Sequence, residues 1–239
     1  MPRFFLDDIN GGTATICGSD ATHISKSLRM KIGEDITICD TKGSDYFCKI
    51  ESIGENIACK IISSEKTKAE PSVKVTLYQA IPKLDKLELI IQKSVELGVH
   101  EIVPVLTNRC ISRPDKQTMD KKLERYSKIC LEAAKQSGRG IIPVVSKMIT
   151  LKEAFDRMEC DDLAIICYEG EGGNLSEMEL EKKRSISILI GGEGGFDKEE
   201  VALAQAQNVQ VISLGNRILR CETAPLAALA IIMNLTGNM

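Results

Sequence analysis

Residues 186–195 read Ile-Ser-Ile-Leu-Ile-Gly-Gly-Glu-Gly-Gly. An almost unbroken apolar run of this length, cut off by glycines, predicts a strand covered on both faces that ends in a tight loop. Asp197 then has the character of a helix N-cap, and Glu200, three residues on, completes a capping box. The helix it opens should run to about Gln207. A second strand follows over Val209–Ile212 and ends at Leu214-Gly215, after which Arg217–Thr223 leads into an almost wholly apolar helix. Two glycine-bearing loops therefore lie at the carboxyl ends of successive strands, where open α/β sheets bind ligands.

The same alternation extends back to Val73. Val73–Ala80 reads as a strand, and Leu84, Leu87, Ile91 and Val95 mark one face of a helix that Gly98 ends. Glu101–Leu106 is the next strand, and a longer helix spans about Met119–Ser137, closed by Gly138. Val144–Ser146 has strand character, Leu151–Met158 is a helix, and Asp162–Cys167 is a buried strand entering Tyr168–Gly173. This pattern predicts an α/β domain over 73–239 with a mostly parallel sheet and helices on both faces. Three loops, 168–173, 191–195 and 214–219, share its carboxyl edge.

Residues 1–70 differ. Ile36–Asp40 and Ile57–Ile62 are strand-like, with turns at Gly11-Gly12, Lys42–Ser44 and Gly54–Asn56 at the spacing of a small all-β barrel. A short helix over Ala21–Leu28, capped by Asp20, interrupts the strands. Ser63–Pro71 is polar, charged and closed by proline, which is linker composition. Arg3, Lys26, Arg29 and Lys31 give this end a positive cluster.

Composition narrows the class. No apolar run approaches the roughly 18 residues of a membrane span, and the opening Met-Pro-Arg-Phe-Phe-Leu-Asp-Asp is too short and too acidic for a signal peptide. Nine cysteines without a CxxC pair suit a reduced, cytoplasmic setting better than a disulfide framework. Two histidines make a zinc site unpromising, so no metal is expected. A net charge of −3 means that any nucleic-acid contact must come from local basic patches.

The loops fit neither common nucleotide motif. Gly192–Asp197 lacks the last glycine of a dinucleotide fingerprint, and the chain has no GxxxxGK[ST] phosphate loop. "IGGEGGF", followed by "LGNRILRCETA", instead resembles the signature of the bacterial 16S ribosomal RNA uridine-N3 methyltransferases of the SPOUT class. The usual family form has proline at the positions of Gly192 and Asn216. Lys86–Val99 and Glu132–Arg139 resemble two further family stretches, and His23–Glu34 resembles part of the family's PUA-like RNA-binding domain.

That resemblance implies a PUA-like barrel followed by a trefoil-knotted domain, a homodimer, S-adenosyl-L-methionine as cofactor, and 16S ribosomal RNA in the small ribosomal subunit as substrate. It implies cofactor contacts from Tyr168, Glu169, Ile190, Gly191, Gly192, Gly194, Leu214, Gly215, Ile218, Leu219 and Thr223. Arg3, Lys26, Arg29, Lys31 and Arg139 are the RNA-facing candidates. The imide N3–H of uracil must lose its proton before it accepts a methyl group, so the site needs a base and a cation. Glu222 is the candidate base or orienter, Arg220 the cation and Glu132 a second carboxylate. Cys221, a position where the family usually has threonine, reads as a packing residue. The nearly all-apolar helix over Ala224–Leu235 should be buried on every side. Rival readings are a non-enzymatic ribosome-associated RNA-binding module, a nicotinamide or flavin oxidoreductase, and a methyltransferase of the same fold acting on another nucleotide.

Overall fold

The computed structural model describes residues 1–7, 9, 11–170 and 172–239. By internal contacts the chain falls into two units, 1–70 with 134–142, and 71–133 with 143–239.

The first unit contains β1 (Arg3–Phe5), β2 (Thr13–Ile16), α1 (Gly18–Thr22), β3 (Asp35–Cys39), β4 (Ser44–Ile53) and β5 (Ile57–Lys66). Its sheet has the order β1-β3-β4-β5-β2, antiparallel except where β1 meets β3. Phe4, Ile16, Ile24, Ile36, Ile38, Ile50 and Ile57 fill one core beneath it. The expected all-β unit is present, and among the described residues its ladder runs from β1 to β2 without pairing those two strands to each other. Ser63–Lys66, read as linker, is strand, because its backbone pairs with Ser44–Phe47 while its polar side chains stay exposed. Asp20 does not cap the helix. The N-cap is Cys17, and Asp20 lies inside α1, paired to Lys135 at 3.0 Å. The helix continues from His23 to Ser27 as a wider π-turn.

The second unit contains β6 (Lys74–Ala80), α2 (Lys86–Glu96), β7 (Glu101–Leu106), α3 (Lys116–Ser137, whose last turn groups with the first unit), β8 (Val144–Val145), β9 (Ile149–Thr150) and α4 (Leu151–Met158). There follow β10 (Leu163–Cys167), β11 (Gly173–Asn174), β12 (Ser185–Ile190), α5 (Lys198–Ala206), β13 (Gln210–Ser213) and α6 (Ala224–Leu235). The sheet is wholly parallel, in the order β11-β13-β10-β12-β6-β7-β8, with β9 pairing the far end of β7. Ile186–Ile190 of β12 is buried throughout, as its apolar run requires. Tyr78, Val103, Ile166, Leu189 and Phe196 pack on one side with α4 and α5. On the other, α6 packs on α2, β6 and β12.

Two expectations need correction. Leu84 is 86% exposed with φ +56, so it lies before α2 rather than on its buried face. Helix α6 buries Pro225, Ala228, Leu229, Ile232 and Met233, whereas Leu226, Ala227, Ala230 and Ile231 are only half-buried. The fold of one chain covers one side of this helix. Its apolar sequence required cover but could not say from where. Among the described residues no helix is long and apolar enough to cross a membrane.

Candidate active site

Strands β10, β12 and β13 are neighbours in the parallel sheet, so the loops leaving their carboxyl ends meet. They enclose a cavity of about 460 Å³. Its walls are Cys167–Gly170, Ile190–Gly195 and Ser213–Leu219, with Cys221 and Ala224 completing it. Glu171, in the first of these loops, lies outside the described residues.

Each loop is held by contacts the fold supplies. The Tyr168 N–H donates to the Ile212 carbonyl at 2.9 Å, tying the first loop to β13. In the second, the Gly195 N–H donates to the Gly192 carbonyl at 3.1 Å, and Gly195 has φ +62. A side chain there would need the left-handed conformation that only glycine adopts freely, and its Cβ would sit 2.9 Å from Glu169 Oε1. A Cβ on Gly194 would lie 3.0 Å from both the Cβ and the carbonyl oxygen of Arg109, whose guanidinium donates to the Gly194 carbonyl at 3.1 Å. Fully buried Gln79, at the end of β6, donates from Nε2 to the Gly191 carbonyl at 3.3 Å. The loop is then anchored by Phe196, 1% exposed, and by the capping box of α5. There the Glu200 N–H donates to Asp197, the Asp197 N–H donates to Glu200, and the Asn108 N–H also donates to Glu200 at 2.7 Å.

Glu193 reaches out of the glycine loop, accepting from the Lys83 N–H at 3.1 Å and standing 3.3 Å from Lys86 Nζ. Burial works against its charge, but those bonds outweigh it and hold the carboxyl below its ordinary range. Glu222 is also held below its ordinary range, first by the Cys221 thiol at 3.2 Å and then by Lys86 at 3.1 Å. Burial, with the neighbouring Glu222, pushes the Cys221 thiol up to about 12, so it stays protonated near neutrality and is no nucleophile.

Ten residues proposed from sequence as cofactor contacts line this cavity: Tyr168, Glu169, Ile190, Gly191, Gly192, Gly194, Leu214, Gly215, Ile218 and Leu219. Thr223 does not; it is exposed at the start of α6. Arg220 is exposed and Glu222 half-buried, each next in sequence to a lining residue without lining the cavity itself. Glu222 pairs with Lys86 and not with Arg220. Glu132 is exposed on α3 and does not line the cavity. Glu193, Gly195, Asn216 and Arg217, lining residues missed from sequence, lie inside the same signature, where reading every backbone position of the loops would have found them.

In the first unit, Lys26, Arg29 and Lys31 are exposed. Arg3 and Arg139 are not free cations. Arg3 binds both oxygens of Asp45 at 2.6 Å and donates to the Arg139 carbonyl, while Arg139, 3% exposed, forms a two-pronged pair with Glu70. Arginine's planar fork matches a carboxylate, and burial commits it there. Burial would raise the Asp45 carboxyl, but Arg3 and Thr67 together hold it below its ordinary range. Among the described residues no group of three His, Cys, Asp or Glu side chains could hold a metal ion.

A family model described as an RNA methyltransferase domain matches residues 69–233, and one described as an RNA methyltransferase PUA domain matches residues 16–66. The ribosomal RNA small subunit methyltransferase E of Bacillus subtilis is 36% identical, over 97% of this chain and 96% of its own. The chain belongs to the ribosomal RNA small subunit methyltransferase E family. The solved methyltransferase E of Neisseria gonorrhoeae, bound to S-adenosyl methionine, is 33% identical with a TM-score of 0.89 over 98% of each chain. A putative methyltransferase from Legionella pneumophila, in complex with the same cofactor, is 29% identical with a TM-score of 0.85 over 97% of this chain and 96% of its own. Both matched family domains are thus present in this chain, the PUA domain within the first unit and the methyltransferase domain over most of the second.

Proposed function

We propose that this protein methylates N3 of a single uridine in 16S ribosomal RNA, with S-adenosyl-L-methionine as methyl donor and the assembled small subunit as substrate. The cavity carries the reading. At about 460 Å³ it is within the roughly 300–1,000 Å³ of small-molecule sites, and a Cβ at Gly191, Gly194 or Gly195 would crowd its walls. Backbone N–H and C=O groups of 191–195 and 214–219 suit the adenine and the amino-acid end, and the Glu169 carboxylate suits hydroxyl or ammonium donors. When bound, the cofactor supplies an electrophilic methyl on its sulfonium.

The residues of this chain position the uridine and manage its charge. Exposed Arg220, beside lining residue Leu219, is the cation for the uracil anion. Glu222, held below its ordinary range by a thiol and an ammonium, suits orientation better than proton capture. Lys26, Arg29 and Lys31 make the phosphate contacts that position RNA without reading its sequence.

The half-buried apolar side of α6 supports a homodimer. The chain leaves β13 on one side of β10 and returns as α6 against the 3-10 turn at 175–177, β12 and β6 on the other, which supports a knotted connection. Action on ribosomal RNA puts the protein in the cytoplasm.

The test is deletion of the gene followed by mass spectrometry of 16S ribosomal RNA nucleosides. N3-methyluridine should vanish and return with the wild-type gene, but poorly with Arg220→Ala. Persistence of the modification would refute the substrate.

A further inference from the structure

We propose that Lys86 is the positioning residue of the cavity, holding Glu193 of the glycine loop and Glu222 beyond the third loop on one ammonium and so fixing two cavity walls against each other. Nζ lies 3.3 Å from Glu193 and 3.1 Å from Glu222. These acids sit 107 and 136 residues further along the chain, so one ammonium joins two segments distant in sequence. The two carboxylate side chains are only 23% and 19% exposed, and that of Lys86 is 29% exposed.

The base of the tether is rigid. Lys86 begins α2, whose Leu87, Ile90 and Ile91 are buried, and the Lys83 N–H just before it donates to both Glu193 oxygens at 3.1 and 3.4 Å. The Cys221 thiol donates to the same Glu222 oxygen that Lys86 holds. An isolated surface pair contributes little, because side-chain entropy and screening offset it. Here one cation joins two like charges that would otherwise repel, and one of them, Glu193, stands among four glycines that leave its loop conformationally free. Neither Lys86 nor Glu222 lines the cavity, whereas Gly192, Glu193, Gly194 and Cys221 do. Lys86 therefore acts through the walls and not on the reacting atoms.

This inference rests on the cofactor reading, and the experiment separates the two. Calorimetric titration of the full-length protein uses S-adenosylmethionine and, in parallel, S-adenosylhomocysteine, whose sulfur is uncharged. K86M should weaken both ligands equally, by roughly tenfold, the scale of ordinary coupling between sites. K86R, which keeps the charge and has a fork able to reach both carboxylates, should stay within about threefold of wild type. Wild-type affinity in K86M, a loss confined to one ligand, or K86R as weak as K86M would each overturn the proposal. Equal loss is what separates positioning from a direct effect of charge on the sulfonium. Should K86M not fold, E193Q, which weakens the tether from the loop side, must weaken both ligands, and unchanged affinity there overturns the proposal. A wild-type protein that binds neither ligand would overturn the cofactor reading itself.

Discussion

Replacing Gly195 by alanine tests how the cavity is built. The backbone there has φ +62, and holding an L-residue in the left-handed region costs roughly 1–2 kcal/mol. The new Cβ would also lie 2.9 and 3.1 Å from the two Glu169 oxygens. Those oxygens end a flexible side chain, so Glu169 swings away, and the backbone term dominates the stability change. For a chain of this size, that strain lowers the melting temperature by roughly 2–8 °C. Glu169 is itself a wall of the cavity, so its displacement should weaken S-adenosylmethionine binding by about tenfold or more, within the ordinary range of coupling. Thermal unfolding without ligand and calorimetric titration measure the two effects separately. An unchanged melting temperature would refute the left-handed backbone at 195. A lowered one with wild-type affinity would refute the contact between Glu169 and Gly195 as part of the clamp.

Two further outcomes follow from the first unit. Changing Lys26, Arg29 and Lys31 together to glutamate should weaken binding to small-subunit RNA and flatten its salt dependence in filter-binding assays, with cofactor affinity unchanged. Arg3→Met should leave that salt dependence alone but cost about 3 kcal/mol of stability, measured by urea denaturation, because it strands Asp45. Asp45 also sets an acid limit. Its folded pKa is below the ordinary value of 3.8, so the stability it contributes is fully present above that value and is lost as pH falls through the folded one. Denaturation midpoints at pH 7 and pH 3 should therefore differ more in the wild type than in Asp45→Asn, and equal differences would refute this assignment.

Elements whose defining signals are local could be read directly from the sequence. The apolar run ending at Gly191 is β12, and the Asp197–Glu200 pair is a complete capping box. Gly98 and Gly138 end α2 and α3 at positive φ, and Ala224–Leu235 is α6 to the residue. These features depend on groups within about four residues of one another, so periodicity and caps contain them. The glycine signature likewise marks most of the cavity, because each loop carries its own backbone freedom.

Other features were decided only when distant segments met. Nothing near Arg3 or Arg139 shows that Asp45 and Glu70 will claim them, so two exposed-looking cations became internal pairs. Ser63–Lys66 has linker composition, yet β4 offers its backbone a partner and makes it strand. Glu222 stands two residues from Arg220 in the chain but pairs with Lys86, which α2 delivers from 136 positions away. An ion pair is set by distance and solvent access. Both are properties of the closed chain, whereas the patterns that make helices, strands and turns are complete before it closes.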